Sequence, residues 1–276
     1  MLKVSGLYVY ARTLTCMSLR TLAGGGMEYE RIAGADPAAA TIVMLHEGLG
    51  SVSMWKDFPA RLAEATGSPV VVYSRHGYGG SAPLRSRRTV RYMHDEALRV
   101  LPQFLDELAI ESPVLFGHSD GASIALIYAG ASGRAVSGII ALAPHVFVEE
   151  RTVSAIAAAR LAYETTNLRE RLARHHGDVE GAFWGWNDIW LDPAFRDWSI
   201  EEYLARLGCP VLAIQGENDE YGSMEQIERI ARAAPGVELL KLANCGHSPH
   251  RDRPAAVLAA VKAFGASPSA GPLAAS

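Results

Sequence analysis

The sequence predicts an α/β chain, a mostly parallel, doubly wound sheet with helices on both faces. Three observations carry this. Short apolar, β-branched runs recur at 41–46, 69–74, 112–117, 136–142, 209–215 and 237–242. Helix-like stretches separate most of them, at 53–66, 89–109, 120–130, 223–234 and 254–264. The residues with the most obvious chemistry fall just past the carboxyl ends of strand runs, where open parallel sheets bind ligands.

In chain order, residues 1–26 stand apart. They hold Lys3, Arg12 and Arg20 and no acid, and they run into Gly24-Gly25-Gly26-Met27. The long apolar run and small-residue cleavage site of an export signal are missing. A transit peptide would share the acid-poor composition. The preferred reading is a flexible N-terminal extension, with the first strand of the fold beginning near Met27. Thr41 to Leu45 is a compact strand that opens into a glycine-rich turn, His46-Glu47-Gly48-Leu49-Gly50-Ser51. The stretch from Val90 to Leu108 has apolar residues at helical spacing, which predicts a structural helix.

Next comes Gly117-His118-Ser119-Asp120-Gly121, between the apolar run Pro113-Val114-Leu115-Phe116 and the helix-like Ala122 to Ala129. Strand, sharp turn and helix are the context in which G-x-S-x-G carries a nucleophile. The small neighbours Gly117 and Gly121 let helix and strand pack closely. The strained turn aims the Ser119 hydroxyl at a helix N-terminus, which favours negative charge. The Asp120 amide would be one oxyanion donor. The turn after the early strand would supply the other, from Leu49 or, close behind it, Gly48. Each such donor lowers the barrier by roughly 3 kcal/mol.

A serine hydroxyl needs a base, and the base needs an acid to hold its tautomer. The strand Val211 to Ile214 runs into Gln215-Gly216-Glu217-Asn218-Asp219-Glu220. Asp219 is the chosen acid, with Glu217 and Glu220 as alternatives. The strand Val237 to Leu242 runs into Asn244-Cys245-Gly246-His247-Ser248-Pro249-His250. His247 is the candidate base and His250 its rival.

From about Val146 to Leu207 no parallel strand is apparent. Ala155 to Leu172 reads as helix, followed by an aromatic cluster holding Trp184, Trp186, Trp190 and Trp198. Tryptophans are costly to expose. They either form the core of this segment, or one or two of them line an apolar acyl or aryl pocket. Trp186 and Trp190, four apart, can share a helix face. Asp120 either faces the pocket or pairs behind the elbow with a backbone donor or an arginine, the reading preferred here. Glu47 has the same two options. His145, after Ala143-Pro144 at a strand end, stands near the pocket rim as a substrate contact or a solvated residue.

Over about Met27 to Phe264 the chain resembles the α/β-hydrolase superfamily. The resemblance rests on His46 to Ser51, Ser74-Arg75-His76-Gly77-Tyr78-Gly79-Gly80-Ser81, the elbow at Ser119, Gly216 to Asp219, and Gly246-His247. The second of these looks like the family's D-x-R-G-x-G-x-S turn, with Ser74 and His76 at the Asp and Arg positions. Glu47 is inserted into the usual His-Gly pair. The resemblance implies the α/β-hydrolase fold and a Ser119–His247–Asp219 triad. It also implies a helical cap at 146–207, inserted after the sixth strand, with core segments at 27–145 and 208–265. Residues 266–276 read as a flexible tail. A serine at the nucleophile position argues against epoxide hydrolases and haloalkane dehalogenases of this fold, which carry aspartate there.

Composition agrees. The chain has 276 residues and a net charge of -4, with no basic block for nucleic acid. No apolar run would cross a membrane. Three scattered cysteines, Cys16, Cys209 and Cys245, form no metal or disulfide pattern and suit a reducing cytoplasm. The expected activity is hydrolysis of a small to medium carboxylic ester, lactones included, by a monomer or homodimer. No cofactor or metal is called for. Carbon–carbon bond hydrolysis of ring-cleavage products and thioester or amide hydrolysis use the same residues. A non-catalytic ligand receptor of this fold is the alternative outside enzymes.

Overall fold

The computed structural model describes residues 16–22 and 25–266. Among these the sheet has eight strands: β1 (Cys16–Leu22), β2 (Gly25–Ile32), β3 (Ile42–Leu45), β4 (Val70–Tyr73), β5 (Val114–His118), β6 (Gly138–Leu142), β7 (Val211–Gly216) and β8 (Val237–Leu242). Their order is β1-β2-β4-β3-β5-β6-β7-β8. β2 pairs antiparallel with both β1 and β4, and all pairs from β4 to β8 are parallel. The six strands read from apolar runs are all present, with ends within two residues of those expected. Strands β3, β4, β6 and β7 are buried throughout, which is why they read as continuous apolar runs. The edge strand β8 is half solvated.

For residues 16–22, β1 corrects the reading of 1–26 as an extension. Residues 16–22 pair along the whole of their length with β2, from Cys16 opposite Arg31 to Leu22 opposite Gly25. An edge strand gains its hydrogen bonds from one neighbour and needs no apolar run, so the pattern that marks buried strands is missing. Residues 1–15 and 23–24, and the tail beyond Ala266, lie outside the described residues.

One face of the sheet is covered by α1 (Phe58–Thr66) and, late in the chain, by the helix Pro254–Ala266. The other face carries α2 (Tyr92–Asp95), α3 (Leu101–Glu107) and α4 (Asp120–Ala131). The stretch expected as one helix at 89–109 contains a π turn, Glu96–Val100, between α2 and α3. There the Leu101 amide donates to the Glu96 carbonyl, one residue beyond α-helical spacing. Pro102 explains it: the ring lacks an N–H and crowds the preceding turn, and the wider turn makes room.

Between β6 and β7 the chain leaves the sheet as α5 (Glu150–Thr165), α6 (Leu168–Leu172), α7 (Val179–Leu191) and α8 (Glu201–Leu204). A bridge between Phe147 and Ser199 closes the base of this segment. Its aromatic residues make their own core: Tyr163 stacks on Phe183 at 3.7 Å, and Phe195 on Trp198 at 5.3 Å. The chain ends with α9 (Glu225–Ala233), α10 (Pro249–Asp252) and α11 (Pro254–Ala266). No helix among the described residues is long and apolar enough to cross a membrane.

Candidate active site

Ser119 sits between β5 and α4 with φ 53° and ψ -119°, a conformation that costs a non-glycine residue energy. The surroundings hold it there. A Cβ on Gly117 would overlap the backbone of Ala122, and one on Gly121 would overlap the Leu45 carbonyl. The Ser119 amide donates to the Leu142 carbonyl at 2.9 Å. The strain is thus imposed by β3, β6 and the start of α4 together.

His247 Nε2 lies 2.9 Å from Ser119 Oγ. His247 Nδ1 lies 2.9 Å from both carboxylate oxygens of Asp219. A carboxylate only accepts, so Nδ1 carries the proton and Nε2 is left to accept from the serine. Asp219 Oδ1 also accepts from the amides of Tyr221 (2.8 Å) and Gly222 (3.1 Å). Its Oδ2 accepts from Gln215 Nε2 at 2.7 Å. Burial pushes the Asp219 carboxyl up, but His247 and the Tyr221 amide outweigh it and hold it below its usual value. The acid and histidine loops are stitched together by backbone. The Glu217 amide donates to the Leu242 carbonyl and the Asn218 amide to the Cys245 carbonyl, each at 2.9 Å. Gly216 allows this approach, since a Cβ there would overlap the Cys245 carbonyl.

The rival residues lie elsewhere. Glu217 and Glu220 are exposed. His250 is buried behind the elbow against Trp55 (4.7 Å), Phe58 (5.5 Å) and His118 (4.9 Å), and neither ring nitrogen has a hydrogen-bond partner among the described residues. Burial, then His118, holds its pKa well below the usual histidine value.

The His46–Ser51 loop lies on the other side of Ser119. Arg75, 1% exposed, anchors it from behind. Its Nη2 donates to the carbonyls of Glu47 (2.9 Å) and His46 (3.4 Å), and its amide donates to His46 Nε2 at 3.0 Å. His46 Nδ1 donates to the Glu47 carbonyl at 2.6 Å. Burial, then Arg75, holds His46 well below its usual pKa, so the ring is neutral and its tautomer is set. Asp120 faces the core behind the elbow, as preferred from sequence. Its Oδ2 accepts from the Tyr92 hydroxyl at 2.7 Å and lies 3.6 Å from Arg75 Nη2. Burial would lower the Arg75 pKa, but Tyr78, Asp120 and Glu96 outweigh it and raise it.

The insertion reaches this loop through His176. Its Nδ1 accepts from the Gly79 amide and its Nε2 donates to the Leu49 carbonyl, both at 3.0 Å. Burial, ahead of other effects, lowers the His176 pKa and keeps the ring in the form that can do both. Among the described residues the amides of Gly48 and Leu49 have no protein acceptor. The Asp120 amide is in the first turn of α4, where N–H groups lack intrahelical partners. Gly48 has its own constraint: a Cβ there would overlap the indole of Trp186.

A cavity of about 120 Å³ joins these parts, lined by Ser119, Leu49, His145, Trp186, Trp190 and Tyr221 among others. Both tryptophans expected on one face of a helix reach it from α7. His145 is 2% exposed, which corrects the solvated-rim option: it packs on Trp190 at 5.0 Å. Burial, then His247, lowers its pKa to about 4, so it is neutral near pH 7. Glu47 also lines the cavity, with its carboxylate 3.4 Å from His118 Nδ1 and 3.2 Å from Arg251 Nη2. The first is longer than a well-formed hydrogen bond. His118 Nε2 donates to the His247 carbonyl at 2.7 Å. A larger cavity of about 540 Å³ lies at the amino ends of the strands, beside Ile42 and Val114, away from Ser119. Among the described residues no group of His, Cys, Asp and Glu could hold a metal ion.

Arg75, His118 and His176 have structural tasks that the sequence alone does not assign. Arg75 stood inside a quoted turn, and only its burial reveals its task. Nothing in the sequence near His176 marks it.

Comparison with known proteins agrees with the fold. Over 238 residues the chain is 26% identical to a 2-hydroxy-6-oxononadienedioate/2-hydroxy-6-oxononatrienedioate hydrolase of Pseudomonas putida, covering 76% of this chain and 82% of that one. Among solved structures, a carboxylesterase of Nitrososphaera gargenis superposes with TM-score 0.73 at 19% identity, covering 90% of this chain and 97% of that one. The naproxen esterase of Bacillus subtilis superposes with TM-score 0.70 at 20% identity, covering 91% and 92%. At such identities the two structures speak for the fold alone. The family model described as the alpha/beta hydrolase family matches residues 42–261, from the first residue of β3 into α11 and across the whole insertion. That span holds Ser119, Asp219 and His247 in the order and at the strand ends described above, and the chain belongs to the alpha/beta hydrolase family.

Proposed function

We propose that this hydrolase cleaves a small to medium carboxylic ester through an acyl-enzyme on Ser119. The observation that carries the reading is the continuous hydrogen-bonded chain Ser119–His247–Asp219 beside unpartnered loop amides. His247 Nε2 takes the Ser119 proton as Oγ attacks the ester carbonyl. The Asp120 amide and that of Leu49, with Gly48 beside it, hold the oxyanion, each worth roughly 3 kcal/mol. The intermediate collapses, and His247 returns the proton to the departing alcohol. Water then repeats the sequence on the acyl-enzyme, with His247 as base, and the acid leaves. Asp219 holds the imidazole in its tautomer and stabilises the imidazolium. The segment 146–207 serves as a cap that closes the acyl pocket.

The Pseudomonas putida relative favours a second reading, carbon–carbon bond hydrolysis of a ring-cleavage product. Such substrates carry carboxylates, and among the described residues no lysine or arginine lines the cavity over Ser119. The ester reading is therefore preferred. Its test is hydrolysis of p-nitrophenyl butyrate by wild type and Ser119→Ala. Turnover by wild type with a loss of about 10⁵-fold or more in the variant supports it. Equal inactivity, with tight ligand binding retained, would make the protein a receptor.

A further inference from the structure

The cavity over Ser119 is small, and among the described residues no lysine or arginine lies on its wall. Its volume, about 120 Å³, is below the roughly 150 Å³ cavity known to hold benzene. The limiting wall is rigid. Trp186 rests on Gly48 and packs on Phe183 at 6.0 Å, while Trp190 packs on Phe195 at 4.9 Å. Neither indole can swing away without opening the aromatic core of the insertion.

Glu47 places a carboxylate on the cavity wall. Burial raises its carboxyl, but the facing His118 ring and Arg251 outweigh this and hold it well below the usual carboxylate range. Gly50 gives that side chain its room, since a Cβ there would overlap the Glu47 carboxylate. Arg251, 39% exposed, is not part of the cavity lining. The other acid on the lining, Asp120, directs its carboxylate to Tyr92 and Arg75 behind the elbow. His145 is neutral, and His247 is committed to Asp219 and Ser119. A carboxylate entering this space would lose its water beside Glu47 and find no lysine or arginine on the lining among the described residues, while the His118 ring there is already turned to the His247 carbonyl and the Glu47 carboxylate.

We infer that the site selects short acyl groups without negative charge, with Trp186 and Trp190 limiting length and Glu47 turning carboxylates away. The inference rests on the ester reading for its substrate and on the cavity alone for its selectivity.

The test compares kcat/KM for p-nitrophenyl butyrate, octanoate, pentanoate and hemiglutarate, the last two being matched in length and differing in charge. For wild type, octanoate should fall at least about tenfold below butyrate, and hemiglutarate about tenfold below pentanoate. Trp186→Ala should raise the octanoate-to-butyrate ratio, with Trp186→Phe as the milder change should the alanine variant fold poorly. Glu47→Gln should raise the hemiglutarate-to-pentanoate ratio at least about fivefold. Equal rates for the matched pair in wild type, or unchanged ratios in the variants, would overturn the inference. Binding of butyl-, octyl- and 2-carboxyethylboronic acid, read by tryptophan fluorescence, gives the same ranking without turnover. If no ester is hydrolysed but the butyl compound binds best, the ester reading fails and the selectivity stands. If the carboxyethyl or octyl compound binds best, the selectivity fails whatever the esters do.

Discussion

The two sides of Ser119 are built by different means. On the Asp219–His247 side, backbone does most of the joining. Main-chain bonds tie the loops after β7 and β8, and two amides and one glutamine hold the carboxylate. On the His46–Ser51 side, buried side chains do it: Arg75 grips two carbonyls from below and His176 grips a third from the insertion. The first arrangement is set by strand ends that are already neighbours in the sheet. The second depends on a buried cation and on a segment more than a hundred residues away. The backbone-built side should therefore tolerate side-chain loss structurally and fail chemically. The side-chain-built one should fail structurally first.

Asp219→Asn gives the sharpest contrast. The amide keeps the shape but cannot hold the Nδ1–H tautomer, so kcat should fall about 10⁴-fold with the fold retained. Ester kinetics and a melting curve measure both, and a loss of under tenfold would mean that His247 is oriented by something else. Arg75→Met should do the reverse. It leaves Asp120, with Glu96 nearby, buried without a cation, at a cost of about 3–5 kcal/mol. At this chain length that is a fall in Tm of about 10 °C. An unchanged Tm would show that the loop does not rest on the buried charge.

His176→Ala tests the gentlest of these ties. Freeing the Leu49 carbonyl should lower kcat about tenfold with little change in KM, as expected when a transition-state donor loses its position. The same residue makes this side sensitive to acid. Its folded pKa lies below the unfolded value, so the unfolded state binds more protons as the pH drops below about 6.5, and stability falls. Tm should decline between about pH 7 and 5 in wild type and decline less in His176→Ala. A parallel decline in both proteins would assign the acid sensitivity to the other buried histidines.

Much of this is legible in the sequence. The central strands announce themselves because both faces are buried, and Ser119 because two glycines flank it between strand and helix. β1 was not readable, since an edge strand needs no apolar run. The π turn at Glu96–Val100 was not placed either, although Pro102 was in plain view. From sequence His145 keeps a solvated option, because a strand end adjoins the pocket. Its burial follows from Trp190, whose direction no periodicity reveals.

The sequence by itself determined the layered sheet, the elbow and the chain order of serine, acid and histidine. These depend on local choices: apolar runs, glycines where a Cβ cannot fit, and polar residues just past strand ends. Only the tertiary structure decided which of Asp219, Glu217 and Glu220 meets His247, where His250 goes, and which way Asp120 turns. It alone revealed that Arg75 and His176 brace the loop across the site. Those outcomes come from burial and from the pairing of groups remote along the chain. A carboxylate or imidazole takes its charge state and direction from whatever folds against it.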